Sequence, residues 1–209
     1  MIQRVTENRF IDLWRRIGGC RSPQIAYLDI KSKYSNPDRC YHNLSHIDAC
    51  LIEFDKIRSI SPDPDATEMA IWFHDIIYNT RAKDNEERSA EYVSHILLQA
   101  KIDDVLRVRV MRLILSTKHV APPQRYDEQT IVDIDLSILG QPERTFNEYE
   151  VAIRREYSWV SEDDFKKERK KILEMFLARS TIYSTKYFYN LYEVMAQANL
   201  KRSIDQLSK

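Results

Sequence analysis

The sequence predicts an all-α protein, and three observations carry that expectation. Apolar residues recur at spacings of three and four along most of the chain, the period of a helix with one buried face. No alternating run bounded by hairpin glycines occurs, and the only glycines are Gly18, Gly19 and Gly140. The seven prolines fall between the periodic segments, where helices have to stop.

In chain order, Phe10, Leu13, Trp14 and Ile17 line one face of a first helix, and Ile25, Tyr27 and Leu28 mark a short second one. A third helix is expected over about 44–58 and a fourth over about 65–78, opened by Asp65 and Glu68 at capping-box spacing. The next, over about 85–100, places Ala90, Val93, Leu97 and Ala100 on one face. Further helices follow over about 103–118, 128–139, 143–159 and 162–179, with a last one from about 188 onward. The basic run from Lys166 to Lys171 sits beside Phe165, Ile172, Leu173 and Phe176, which are expected to face inward, so the run reads as a solvated helix face. The aromatics Trp72, Phe73, Tyr78, Trp159 and Phe176 are expected in the core. No repeat or linker is visible. The expectation is a single domain over residues 1–209, with a core of about 40–140 and C-terminal helices over about 143–207.

Lys and Arg number 32, Asp and Glu also 32, so the net charge is zero. That balance argues against general nucleic-acid binding and against an anionic membrane surface, and gives no pointer to a macromolecular partner or oligomeric state. Glycine scarcity removes the phosphate-cradling P-loop and the dinucleotide-binding GxGxxG turn. Three cysteines, Cys20, Cys40 and Cys50, without CxxC spacing argue against a disulfide framework or a cysteine-type zinc site. A reducing cytoplasm is the expected compartment. The N-terminal residues carry charges where a signal peptide needs its apolar core, and no stretch approaches the roughly 18–20 apolar residues of a membrane span.

Chemistry enters at Ala70 to Tyr78, where His74 and Asp75 interrupt a segment that is otherwise apolar nearly all round. A buried carboxylate needs a cation or several donors; for an isolated pair, mutual satisfaction of His74 and Asp75 explains it equally well. A second acid lies in Val132 to Gly140. On a continuous helix Asp135 shares its face with Ile131, Val132, Ile138 and Leu139, while Asp133 turns to the wetter side. The third element is Tyr41 to Ile47, with His42 and His46 four apart. A helix beginning near Leu44 leaves His42 in the preceding loop, so His46 is the ligand candidate and Tyr41 and His42 are pocket candidates. Two imidazoles and two carboxylates suit a divalent first-row ion (Mn, Fe, Co, Ni or Zn) better than calcium, and magnesium is also compatible. Such an ion lowers the pKa of a bound water and makes it a nucleophile for phosphoryl centres.

The order His…His-Asp…Asp on successive helices resembles the HD-domain superfamily of metal-dependent phosphohydrolases. More closely, YHNLSHI, AIWFHDIIY, DNEERSAEYV and DIDLSILG are similar to an uncharacterised bacterial branch of predicted HD phosphohydrolases. The later IRREY and the segment from Glu193 to Leu200 extend the likeness over most of residues 40–200. The resemblance implies an HD-type helical bundle with His46, His74, Asp75 and Asp135 as metal ligands, the same four that the burial argument selects. It implies hydrolysis of a small phosphorylated metabolite, a nucleotide among them. Two positions depart from the branch: Glu168-Arg169 where a Gly-Arg pair is expected, and Gln197 where an Arg is expected. Asp84 and Glu87 match a region where such enzymes place a proton-handling acid, although their spacing is also that of a capping box. His119 extends the site to a second metal or, with Lys118, binds phosphate; a helix-terminal histidine favoured by the dipole is the simpler alternative. His95 is expected exposed, and Arg154, Arg155 and Arg169 are expected in surface salt bridges rather than on phosphate. Two other function classes stay open: a ligand-binding regulatory module without turnover, and a di-iron HD oxygenase that needs His119 and another acid.

Overall fold

A computed structural model describes residues 4–209. Among the described residues there are ten α-helices and no strand, so the all-α expectation holds. The chain divides into two compact units, one up to Val132 and one from Asp133 onward.

The first unit contains α1 (Glu7–Arg16), α2 (Pro23–Tyr34), α3 (Leu44–Ile57), α4 (Pro64–Phe73), α5 (Asn85–Gln99), α6 (Asp104–Ser116) and most of α7 (Tyr126–Asp135). Helix α4 is its centre. Every residue from Ala66 to Phe73 is buried, and α1, α3, α5 and α6 all pack on it. Phe10 of α1 meets Trp72 edge-on with ring centroids 5.4 Å apart and Trp14 at 5.7 Å, which joins α1 to α4 through aromatic surface.

Helix α4 opens at Asp63, whose side chain accepts from Ala66 N at 3.0 Å, with Pro64 at the first position. The expected capping box at Asp65 and Glu68 is therefore corrected. Those acids serve an ionic network instead. Glu68 is 1% exposed and receives Arg9 Nε at 2.6 Å, Arg16 Nη2 at 3.0 Å and Arg58 Nη1. Asp65 binds Arg16 and Arg58, and Asp55 binds Arg4 and Arg9. A buried carboxylate held this way is stabilised only while its partners stay in place.

The inner face of α2 is also corrected. Ala26, Ile30 and Tyr34 are buried, whereas Ile25 and Leu28 are 74% and 60% exposed. Apolar residues surround this helix, so spacing alone cannot choose its face.

Helix α4 stops at Phe73, short of the expected Tyr78, because its next backbone groups are diverted. Ile76 N turns back to Phe73 O at 3.1 Å, and Ile77 N donates to Ser89 Oγ at 3.1 Å. The Asp75 and Ile76 carbonyls accept from Arg39 at 2.6 and 2.9 Å. His74 is thus the C-cap of α4, and Asp75 lies in the turn beyond it.

The second unit takes the end of α7, a 3-10 turn over Leu136–Gly140, then α8 (Glu143–Glu156), α9 (Glu162–Leu177) and α10 (Lys186–Leu207). Helix α10 packs on both the 3-10 turn and α9. A Cβ at Gly140 would stand 2.4 Å from Tyr192 Cβ, so that approach requires glycine.

Asp133 is fully buried, not on the wetter side. It accepts from Ser184 N at 2.9 Å and Thr185 N at 2.7 Å, while Glu193 accepts from Ile182 N at 3.0 Å and Tyr183 N at 3.2 Å. Two buried acids thus satisfy four successive backbone donors ahead of α10. The helical face argument failed here because the backbone tightens to 3-10 after Asp135, so residues 138 and 139 no longer follow α spacing. Burial pushes the Asp133 carboxyl up to about 6, although the two backbone donors pull it down.

Arg169 is not a surface residue. It shares the inner face of α9 with Phe165, Leu173 and Phe176, and its guanidinium meets Glu150 and the Tyr149 hydroxyl, the latter at 2.7 Å. Ile172 and Trp159, expected inside, are 43% and 46% exposed. Gln197 donates to Glu193 at 2.9 Å. No helix among the described residues is long and apolar enough to cross a membrane.

Candidate metal centre

Three backbone features of the first unit bring the candidate ligands together. Asn43 caps α3 by accepting from Ser45 N at 2.9 Å, which fixes the helix start and puts His46 on its first turn. The stop of α4 at Phe73 turns His74 and Asp75 off the helix end. Arg39, 8% exposed, ties the two elements: it donates to the His42 carbonyl at 3.2 Å as well as to Asp75 and Ile76, and stacks over Tyr34 and Tyr78. The negative end of the α4 dipole adds to the attraction for a cation at this place.

His46 Nε2 and His74 Nε2 stand 3.0 Å apart, and Asp75 Oδ2 lies 3.1 Å from the His74 nitrogen and 3.5 Å from that of His46. The Ile71 carbonyl, 3.0 Å from His74 Nδ1, can only accept, so Nδ1 carries the proton and a neutral His74 presents the Nε2 lone pair. His74 Nε2 and Asp75 Oδ2 are acceptors, so His46 Nε2 either donates its own proton to them or, in the other tautomer, joins them as a third lone pair around a cation. The spacing fits a metal: bonds of about 2.1 Å at right angles place neighbouring ligand atoms about 3.0 Å apart. Burial works to raise the Asp75 carboxyl, but when His74, His42 and His46 are protonated the pull of their charges, that of His74 first, outweighs it and holds Asp75 well below its ordinary value. His46 and His74 are buried, and the Asp75 side chain is 14% exposed.

Cys50 is the member that sequence reasoning missed. It is 2% exposed and lies one turn after His46 on the same face of α3, with Sγ 3.8 Å from His46 Nε2. Single ligand atoms of His46, Cys50 and His74 all lie within 4.8 Å of one another. The signal was present in the four-residue spacing His46 to Cys50. A buried His, Cys, His and Asp group of this kind can hold a metal ion.

Asp135 belongs to the second unit, where it is half-buried at the end of α7, and its charge contributes to raising the Tyr149 hydroxyl, whose main cause is burial. Tyr41 and His42 flank His46, with ring centroids 4.9 and 5.8 Å away, and His42 stacks on Tyr78 at 4.1 Å. Both are half-buried, as a pocket wall would be.

The accessory residues fall differently from expectation. Asp84 occupies the N-cap position of α5 but makes no capping bond, so the capping box is absent; Asn85 instead exchanges two hydrogen bonds with the Asn79 backbone. Glu87 pairs with Lys118, which lowers the acid and raises the amine, and Lys118 also donates to the Lys83 carbonyl at 3.0 Å. Glu86, which sequence reasoning passed over, is raised by burial and by the negative charge of Asp75. His119 adopts a left-handed backbone (φ 58°) beyond α6 and stands outside the His46, Cys50 and His74 group. Comparison with protein-family models, curated proteins and solved structures finds no match.

Proposed function

We propose that this chain is a metal-dependent phosphohydrolase of the HD type that cleaves a small phosphoester, a nucleotide being the expected class. The observation that carries the reading is the convergence of His46 Nε2, His74 Nε2 and Asp75 Oδ2 at 3.0–3.5 Å, with His74 held in the tautomer that presents a lone pair. Asp135 is proposed as a further ligand from its place in the His…His-Asp…Asp order. A bound divalent ion would supply a water of lowered pKa and an electrophile for a phosphoryl oxygen. The protein's own residues do the rest. The Ile71 carbonyl holds the His74 ring, Arg39 holds the turn that carries Asp75, and Tyr41 and His42 wall the approach to His46. Lys118 at the mouth of α5 offers a cation for a substrate phosphate, and Glu87 beside it offers an acceptor that keeps that amine charged.

The test is metal content of the purified protein and of Asp75→Asn, followed by a phosphoester panel with Mn, Co, Ni, Mg, Zn and Fe. About one or two equivalents of a first-row metal, lost in Asp75→Asn, together with metal-dependent release of phosphate supports the proposal. Metal bound without cleavage of any phosphoester leaves the regulatory module. Iron-dependent oxidation would point to the oxygenase.

A further inference from the structure

The donor set around His46 is softer than the sequence order His…His-Asp…Asp implies. Cys50 presents its sulfur from the turn of α3 that follows His46, so the two side chains share one helix face and one depth in the core. A metal bound to an imidazole nitrogen and a thiolate sulfur, with bonds of about 2.1 and 2.3 Å, separates those atoms by about 3.1–3.6 Å, depending on bond angle. Sγ lies 3.8 Å from His46 Nε2 and 3.9 Å from Nδ1, beside the ring, so a rotation of the Cys50 or His46 side chain brings it onto an ion held at Nε2; the ligand atoms of His46, Cys50 and His74 already lie within 4.8 Å of one another. Cys20 and Cys40, by contrast, are exposed.

We propose that Cys50 is a direct metal ligand, binding as a thiolate beside His46 and His74, and that the centre therefore takes zinc, cobalt or iron in preference to magnesium or manganese. The inference rests on the metal reading of the same site and adds its coordination chemistry. Binding forms a metal–sulfur bond and breaks the S–H bond, and the thiol proton leaves to solvent. No electrons are transferred. Thiolate donors favour borderline and soft ions, whereas magnesium and manganese prefer oxygen. The four ligands of the first unit, counting Asp75, leave positions of an octahedral ion open for water.

The experiment is a cobalt(II) titration of the full chain followed by absorption, with Cys50→Ser and Cys50→Ala alongside. The parent for a second series carries Cys20→Ser and Cys40→Ser, so that Cys50 is its only thiol. The expected result is a thiolate-to-cobalt charge-transfer band in the near ultraviolet that persists in that parent and disappears when Cys50 is replaced. The d–d bands of cobalt remain, since His46, His74 and Asp75 still hold the ion. Zinc affinity should fall by about tenfold or more in Cys50→Ser, while manganese affinity changes little. Cobalt bound to the single-thiol parent with d–d bands and no charge-transfer band overturns the thiolate and leaves the metal reading intact. That comparison decides even where the Cys50 variants fold poorly. No cobalt bound by the wild-type chain overturns both readings together.

Discussion

Arg39 Nη1 donates to the backbone carbonyl of Asp75 at 2.6 Å, and through that bond the guanidinium holds the turn that follows α4. In a helix continuing to Tyr78, Ile76 N and Ile77 N would donate to the Trp72 and Phe73 carbonyls; instead Ile76 N bonds Phe73 O and Ile77 N bonds Ser89 Oγ. Arg39 fixes the resulting turn through the Asp75 and Ile76 carbonyls, and there His74 Nε2 and Asp75 Oδ2 face His46.

Arg39→Ala is expected to weaken metal binding by about 10–100-fold, the usual cost of losing a group that orients metal ligands. Arg39→Lys should not restore it, because one ammonium cannot span three carbonyls in a fixed fork. Calorimetric titration with zinc checks this. Wild-type affinity in Arg39→Lys would remove Arg39 from the positioning of the site.

Metal should stabilise the folded chain by mass action. At a free metal concentration about a hundredfold above Kd the gain is about 2.7 kcal/mol, seen as a rise in Tm of several degrees. His46→Ala and His74→Ala should show no such rise. A metal-dependent Tm shift that survives both substitutions would place binding elsewhere.

Asp133 predicts a defined pH dependence. Unfolded, it ionises near its ordinary 3.8; folded, it ionises near 6. Well below 3.8 both states are protonated and the group costs nothing. As pH rises from about 4 to 6 the unfolded chain releases its proton first, so stability contributed by this group declines and then levels off above about 6. A shift of about two units bounds the loss at about 3 kcal/mol. Denaturant unfolding of wild type and Asp133→Asn across pH 4–7 should show their stability difference narrowing by up to that amount. A constant difference would contradict it.

Glu87 and Lys118 form a half-exposed surface pair, so Glu87→Gln and Lys118→Ala should melt within a few degrees of wild type. If they serve substrate, phosphoester turnover falls in both, with Lys118→Ala expressed chiefly in KM. Unchanged kinetics with an unchanged Tm would return the pair to the surface.

What the sequence made legible follows from the range of the forces involved. Helix α3 and its start at Leu44 were readable because Asn43 caps locally, and His46, His74 and Asp75 were readable as polar groups in apolar surroundings. The end of α4 was not, because it depends on Arg39 and Ser89, residues far away in sequence. The inward residue at the end of α7 was misassigned for the same reason. Asp133 is drawn inside by Ser184 and Thr185, 51 and 52 residues later, which no helical spacing encodes. Arg169 defeated the rule that charge lies outside because Glu150 and Tyr149 receive it. Cys50 was passed over because a single cysteine among aliphatics is usually packing.

Glu68 gives the N-terminal segment an importance beyond its surface area. Arg9 and Arg16, both on α1, supply contacts to a carboxylate that α4 holds at 1% exposure. Trimming the chain past Arg16 would strand that negative charge in the centre of the first unit with Arg58 as its remaining partner. Losing two of the three partners of a buried carboxylate costs up to about 3–5 kcal/mol, the cost of a fully broken buried pair, a large fraction of what a domain this size has to spare. The first helix is therefore a counterion of the core as much as a part of it, and shortened versions should begin before Thr6, or carry Glu68→Gln.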